Sequence, residues 1–421
     1  MSLSRSLILI IFGMTTWTVT VNASPVVEIR DSVISVPLAV QLNATGGAHA
    51  LLRVDRARFA ALRTQGTPPL ERKSVPASVL DTGVRMPSVI YTCQVGVGSP
   101  PTQYTLLVDT GSSNTWVGAE KKYKATKSSH KTSNNVSVSY GSGQFSGIEY
   151  TDTVSIASTT IKAQSIGVAS NVSGLNSGLD GILGIGPVDL TLGTLHPATL
   201  EAIPTVTENL KTQQFISAAK VGISFEPTTS TSESNGQLDF GGTDSSKYTG
   251  SIHYVPVTDI FPAATYWGIT QSVTYGSSTP ILSALPPSAG IVDTGTTLIY
   301  LPTPAFQRYQ SASGGIPDPI TGLLSIPQAK FKSLKSLLFT IDGVKYEFTA
   351  NAQIWPRHLN SFIGGNSESV YLIVADIGST SDNGVKFVNG FVWLQRFYAV
   401  FDTDNRRIGF ANTPFTHAKS N

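Results

Sequence analysis

The tripeptide Asp-Thr-Gly occurs three times in this chain, and two of the copies, 184 positions apart, each stand behind an apolar run and ahead of hydroxyl residues, whereas Asp81-Thr82-Gly83 is followed by Val84. The first of these two reads Leu106-Leu107-Val108-Asp109-Thr110-Gly111-Ser112-Ser113 and the second Gly290-Ile291-Val292-Asp293-Thr294-Gly295-Thr296-Thr297. Each is followed at a distance by an apolar-Gly partner, Ile182-Leu183-Gly184 and Val388-Asn389-Gly390. One Asp-Thr-Gly is compatible with an ordinary Asp turn. Two copies at domain spacing, each behind an apolar run and ahead of hydroxyl residues, constrain the chain to two lobes of similar build. Each lobe then gives one Asp loop to a shared cleft.

The rest of the sequence fits an all-β protein. Only 13% of the 421 residues are charged, and short β-branched or aromatic runs alternate with Gly, Ser and Asn turns. Strands are expected at Thr102–Val108, Ser137–Tyr140, Thr160–Val168, Val221–Phe225, Gln237–Phe240, Ser251–Val257 and Leu337–Ile341. Helical signals are few: His196–Ala202, Thr207–Lys211 and Thr303–Gln310, with Thr228–Asn235 reading as a surface turn. A lobe boundary falls near Gly241–Gly250. Domain spans are 1–23 for a signal peptide, 24–73 for a prosegment, 74–247 for the N-terminal lobe and 248–421 for the C-terminal lobe.

The N-terminus reads as an address. Arg5 precedes the apolar stretch Leu7–Phe12, and Val21-Asn22-Ala23 is a small-residue cleavage pattern. The apolar run is far short of the ~20 residues a membrane span needs, so secretion to the extracellular space is the expectation. Sequons at Asn43, Asn135 and Asn171 fit export, the latter two as candidate glycosylation sites. The single cysteine, Cys93, excludes an intrachain disulfide and, in its alternating context, reads as a packed strand residue. The net charge of +2 conceals an asymmetry: residues 1–73 carry eight Lys/Arg and four acids, which leaves −2 on the remainder. Within this basic leader a strand is expected at Val33–Leu38 and a helix over Ala48–Arg63, with Leu51, Leu52, Phe59 and Leu62 on one face. Such a leader suits a prosegment that covers carboxylates until removed; an amphipathic helix with a solvated basic face is the plainer reading. The dibasic pair Arg72-Lys73 marks the processing neighbourhood.

Each residue of Asp-Thr-Gly has a chemical reason. The Asp titrates, the Gly admits close approach of the opposing loop, and the Thr hydroxyl can donate across to the other loop's backbone. Ser112 and Thr296 can bond the outer carboxylate oxygens. Two adjacent carboxylates titrate as a unit and retain one proton into mild acid. One member can then act as base toward water and the other as acid toward a carbonyl oxygen. That chemistry needs no metal or cofactor.

These motifs resemble the pepsin-like (family A1) aspartic endopeptidases over nearly all of 74–421. The resemblance rests on Asp109 through Trp116, Tyr140-Gly141-Ser142-Gly143, Asp180 through Gly186, Phe240-Gly241-Gly242, Asp293 through Thr297, Ala399 through Asp402 and Arg407 through Ala411. The scarcity of cysteine, with Gly186-Pro187-Val188-Asp189-Leu190-Thr191, is similar to the polyporopepsin group of basidiomycete fungi. The resemblance implies the bilobal pepsin-like acid protease fold, two β-barrel-like lobes with a cleft between them. It implies catalytic Asp109 and Asp293, supported by Thr110, Gly111, Ser112, Thr294, Gly295 and Thr296. Tyr140, Gly141 and Ser142 would form a flap over substrate, with Trp116 holding Tyr140. Leu179, Ile182 and Tyr266 would line apolar subsites and Thr297 would bind peptide backbone. Such prosegments commonly set a Lys against the two Asp; no Lys precedes Lys73, so Arg53, Arg56 or Arg58 would have to serve, or the segment docks differently. Ser142 replaces an acidic flap-tip residue of several relatives, which points to large apolar substrate residues. Asn389 departs from the usual apolar residue before Gly390.

Rival motifs fail. Gly96-Val97-Gly98 lacks a third glycine and runs into prolines, the six histidines show no ligand spacing, and no basic patch suggests nucleic acid. The expected partners are protein and peptide substrates and the chain's own prosegment, with no nucleic acid or membrane, in a monomer. The alternative is a catalytically inactive pepsin-like binding protein, against which stand two intact Asp-Thr-Gly copies and Tyr140.

Overall fold

The computed structural model of the chain describes residues 33–43, 47–65, 88–141, 143–175, 178–379 and 385–419. The expected signal peptide, Arg72-Lys73 and Ser142 lie outside the described residues. The described part is dominated by strands, as the turn-rich sequence requires, and its backbone is a pepsin-like bilobal β structure.

A 14-stranded sheet runs through both lobes. Its middle is β1 (Ile34–Asn43), β2 (Ser88–Val97), β3 (Thr102–Asp109) and, beyond them, β4 (Trp116–Val117), β5 (His130–Ser139), β6 (Gln144–Ile156), β7 (Thr159–Ser173) and β8 (Gly181–Gly184). On the other side of β1 the sheet continues through Ser232–Phe240, Lys220–Phe225, Phe397–Asp402, Arg407–Asn412 and Thr249–Pro256. The leader strand β1 is therefore inserted into this sheet between two strands of the 74–247 span. It pairs antiparallel with β2 (Ala39 opposite Thr92) and with Ser232–Phe240 (Ile34 opposite Phe240).

That insertion explains one departure from the sequence reading. Ser232–Asn235, expected as part of a surface turn, is strand because β1 supplies its backbone partners, Gln41 opposite Ser232 and Ala39 opposite Ser234. A second departure is His196–Ala202. Leu195–His196 is a short strand against Val136 and Asn135, and Pro197 lacks the N–H that would continue a ladder or helix. The other helices form as expected, at Val206–Thr212 and Thr303–Ser313. Thr205 and Glu208 make a reciprocal capping box at the first.

The leader helix α1 spans Gly47–Gln65 and has no interior proline. Leu51, Leu52, Phe59 and Leu62 are all buried. Each contributes about 1.5–3 kcal/mol relative to an exposed position. They belong to the same large core as the strands of both lobes. Cys93 is buried in β2, and burial pushes its thiol up to about 12. Among the described residues no helix is long and apolar enough to cross a membrane.

Candidate active site

Strand β3 changes character along its length. Thr102, Gln103 and Thr105 are wholly or partly exposed, whereas Leu106 through Asp109 are all buried, so the strand carries Asp109 from surface to interior. Ala289–Val292 is buried throughout and delivers Asp293 the same way. The apolar-Gly partners flank both loops in parallel register: Val108 lies opposite Leu183, and Val292 opposite Asn389. The repeat seen in the sequence is thus a repeat of strand pairing.

The two loops meet across a local dyad. The Thr110 N–H donates to Thr294 Oγ1 at 3.0 Å, and the Thr294 N–H donates to Thr110 Oγ1 at 3.0 Å. Each hydroxyl then donates onward, Thr110 Oγ1 to the Val292 carbonyl at 3.2 Å and Thr294 Oγ1 to the Val108 carbonyl at 2.8 Å. Four hydrogen bonds therefore clasp the loops through groups that are fully buried. The carboxylates are bonded alike. Ser112 Oγ donates to Asp109 Oδ2 and Thr296 Oγ1 to Asp293 Oδ2, each at 2.5 Å. The Gly111 and Gly295 N–H groups donate to the inner oxygens at 3.0 and 3.1 Å. A Cβ on Gly111 would collide with Asp293 Oδ1, and one on Gly295 with Asp109 Oδ1, which is why only glycine fits.

Between the carboxylates stands Arg58 of α1. Its Nε donates to Asp293 Oδ2 at 2.7 Å, and Nη2 donates to Asp293 Oδ1 at 2.9 Å and to Asp109 Oδ1 at 2.5 Å. Arg53 and Arg56 are exposed on the helix, and Arg56 Nε donates instead to the Asp376 carbonyl. The two Asp differ electrostatically. Burial raises both, but at Asp293 the bidentate Arg58, with Thr296 and Gly295, brings the carboxyl below its usual value. At Asp109 burial and the neighbouring Asp293 charge outweigh Arg58 and leave the carboxyl raised. Burial also holds the Arg58 guanidinium at a cost that the two carboxylates more than reverse.

The surrounding side chains distribute as follows. Trp116 Nε1 donates to Tyr140 Oη at 2.9 Å, and the Trp116 ring stacks on Phe145 at 4.3 Å. Gly141, at φ +74°, abuts the backbone at Ala57 and the Ala61 methyl of α1, so the hairpin tip rests on the leader helix. A cavity of about 50 Å³ beside the Asp loops is lined by Leu107, Trp116, Tyr140, Ile182, Gly295 and Thr297, among others, with Leu51, Val54, Asp55 and Arg58 from α1. Ile182 is therefore at the cleft. Leu179 is fully buried in the adjoining N-lobe cluster and does not line that cavity. Tyr266 does not line that cavity either; its Oη donates to the Leu62 carbonyl of α1 at 2.8 Å. Asn135 and Asn171 are exposed on β5 and β7.

Two participants, Asp55 and Gln271, were not singled out from the sequence. Asp55 accepts the backbone N–H groups of Thr297 and Leu298 at 3.3–3.4 Å. Gln271 and Asn389, both buried, exchange amide hydrogen bonds at 2.8 and 3.2 Å, and the Asn389 carbonyl accepts the Asp293 N–H at 3.1 Å. Asn389 is thus accommodated by a complementary amide and supports the Asp293 loop. The selection of Arg58 had a usable signal: Asp55 and Arg58 lie on the Leu51–Leu62 face, where a charge has no business unless it meets a partner.

Two buried Asp-Thr-Gly loops are clasped by their threonines, and residues 90–413 match the model of eukaryotic aspartyl proteases. The chain belongs to that family. The protease is 60% identical to polyporopepsin from Irpex lacteus over 79% of its own length and 97% of that protein's. It is 29% identical to cathepsin E from Rattus norvegicus, over 79% and 83% of the respective chains. A crystal structure of the aspartic proteinase from Irpex lacteus superposes with a TM-score of 0.78 at 52% identity, covering 93% of this chain and all of that one. The protease is accordingly an aspartic-type endopeptidase, and its fold is the pepsin-like one that the motifs implied.

Proposed function

We propose that the protease is secreted as a zymogen whose leader, β1 and α1, blocks the cleft until acid releases it. The processed enzyme then hydrolyses peptide bonds between large apolar residues. The observation that carries this reading is the Arg58 fork across both carboxylates, set in a helix that also rests on the Tyr140–Gly141 tip. A guanidinium there occupies the place a substrate carbonyl and an attacking water would need.

The sign of the pH response follows from Asp293. Its carboxyl is held below the usual value by the docked Arg58. The pair's contribution is therefore present above about pH 3.8, the unpaired value, and is lost as pH falls through the lowered one. Acid thus favours release. Once Arg58 leaves, a water takes its place. The ionised Asp accepts a proton from that water, and the protonated Asp donates one to the peptide carbonyl, so the tetrahedral intermediate forms without a covalent enzyme adduct. In the latched form Asp109 is the better proton holder, because its carboxyl is raised while that of Asp293 is lowered. Tyr140 and Gly141 would close over the substrate, with Trp116 fixing Tyr140. Gly295 and Thr297 would take its backbone. The apolar wall of Leu107, Trp116 and Ile182 supports a preference for large apolar side chains. Exposed Asn135 and Asn171 suit glycosylation during export.

The test uses purified, processed protein and a denatured protein substrate at pH 3–4, with and without a statine-type inhibitor. Inhibitor-sensitive cleavage is expected, and Asp109→Asn or Asp293→Asn should abolish it while leaving the fold intact. Retained turnover in either variant would refute the shared-proton mechanism.

A further inference from the structure

Arg58 is not the only leader side chain buried in the cleft. Asp55, one helical turn earlier, is only 2% exposed. Its protein partners are the backbone N–H groups of Thr297, at 3.3 and 3.4 Å to its two oxygens, and of Leu298 at 3.3 Å. These are long contacts for an ionised carboxylate, whose hydrogen bonds usually shorten to about 2.7–2.9 Å. The natural i, i+3 partner on the same helix is Arg58, but its Nε and Nη2 are committed to Asp293 and Asp109. Arg56 turns outward to the Asp376 carbonyl. From the C-terminal lobe the Tyr300 hydroxyl also faces Asp55; it is buried and makes no well-formed hydrogen bond among the described residues.

We propose that Asp55 is a second pH-sensitive latch in the leader, opposite in sign to Arg58: its carboxyl seats in the cleft when protonated and loosens the leader when ionised. This rests on the docked-prosegment reading above. A carboxylate removed from water without a cation of its own prefers the neutral form. Burial is the dominant influence, and it outweighs the Leu298 and Thr297 N–H groups, Tyr300 and the Arg58 charge, raising Asp55 from 3.8 to about 7. A group raised on docking stabilises the docked state fully below its free value, and that stabilisation is lost as pH rises from about 3.8 through about 7. Asp293 works the other way, losing its contribution in acid. The two together make the leader tightest in mild acid, released by strong acid through the Arg58 pair and loosened toward neutrality through Asp55. The same carboxyl holds the Thr297 and Leu298 donors at the cleft wall, so leader loosening and exposure of those donors are one event.

The experiment is hydrogen exchange of the full-length protein between pH 4.5 and 7, scoring only the species of unprocessed mass. After correction for intrinsic exchange, protection of the α1 amides in the wild type should fall about tenfold per pH unit, the slope for one proton released on opening. Asp55→Asn keeps an acceptor oxygen but cannot titrate, and should make that profile flat. A flat wild-type profile, or an unchanged slope in Asp55→Asn, would overturn the proposal. A second measurement needs no variant. The ¹³C shift of the Asp55 carboxyl in the intact protein should titrate near neutrality, and titration in the ordinary carboxylate range would overturn the idea equally. Unprotected α1 amides at every pH would instead sink the docked-leader reading itself, while protected but pH-independent amides would sink the Asp55 latch alone.

Discussion

Replacing Arg58 by methionine keeps most of the side chain's length and removes its charge. The guanidinium is nearly inaccessible and makes three hydrogen bonds of 2.5–2.9 Å to two fully buried carboxylates. Removing one member of such a buried pair typically costs about 3–5 kcal/mol, because the other charge is left unpaired. Here the orphaned carboxylates can share a proton, which relieves part of that cost, so about 3 kcal/mol is the reasonable figure near pH 6. At 1.4 kcal/mol per decade this is roughly a 100-fold shift of the leader toward the undocked state. The shift should shrink as pH falls through the lowered Asp293 value, where the pair no longer contributes. The assay is binding of a fluorescent statine-type inhibitor to unprocessed full-length protein across this pH range, alongside the half-time of processing. Arg53→Met and Arg56→Met, at exposed helix positions, serve as controls and should change either reading by no more than about 0.5 kcal/mol. Arg58→Lys should restore only part of the latch, since an ammonium cannot reproduce the fork. The reasoning fails if Arg58→Met binds inhibitor no better than wild type at pH 6, or if the two exposed arginines matter as much.

Other outcomes follow from the same contacts. Asn389→Leu or Gln271→Leu alone strands a buried amide and should destabilise by about 1–3 kcal/mol. The double variant should recover much of that loss, a non-additivity readable in denaturant unfolding of the full-length protein. Trp116→Phe keeps the stack on Phe145 but loses the donor to Tyr140 Oη. Loss of one such bond, worth about 1 kcal/mol, should lower kcat/KM about fivefold without altering thermal stability much, as measured on an apolar peptide substrate. Ala57→Leu adds bulk where α1 meets Gly141. Overpacking of about 1–3 kcal/mol should speed leader release about 5- to 100-fold at pH 5, read as the processing rate.

Much of this protein is legible in its amino-acid sequence. The Asp-Thr-Gly repeat fixes two lobes, because its apolar flanks must be buried strands and its glycines must face a close neighbour. The apolar-Gly partners were legible for the same reason, since a buried strand next to the Asp loop requires an apolar strand beside it. The leader helix was legible from its Leu51–Leu62 face. Errors arose where a segment's conformation depends on a distant partner. Ser232–Asn235 looks like a turn by composition and is a strand only because β1 lies alongside. His196–Ala202 reads as a helix, and its first residue is instead strand because Asn135 and Val136 lie opposite His196 and Leu195.

The identity of the chemistry is therefore a property of the sequence: titratable Asp, clasping Thr and permissive Gly are chosen by local requirements that any correct fold must satisfy. The control of that chemistry belongs to the tertiary structure. Three arginines of the leader are alike in sequence, and only the docking angle and register of α1 bring Arg58 between the carboxylates, place Arg53 and Arg56 on the exposed side of the helix and strand Asp55 against Thr297 and Leu298. A side chain's charge is written in its codon, but whether that charge meets a partner, water or neither depends on segments more than 200 residues away. That encounter is what shifts the carboxyls of Asp55 and Asp293 in opposite directions.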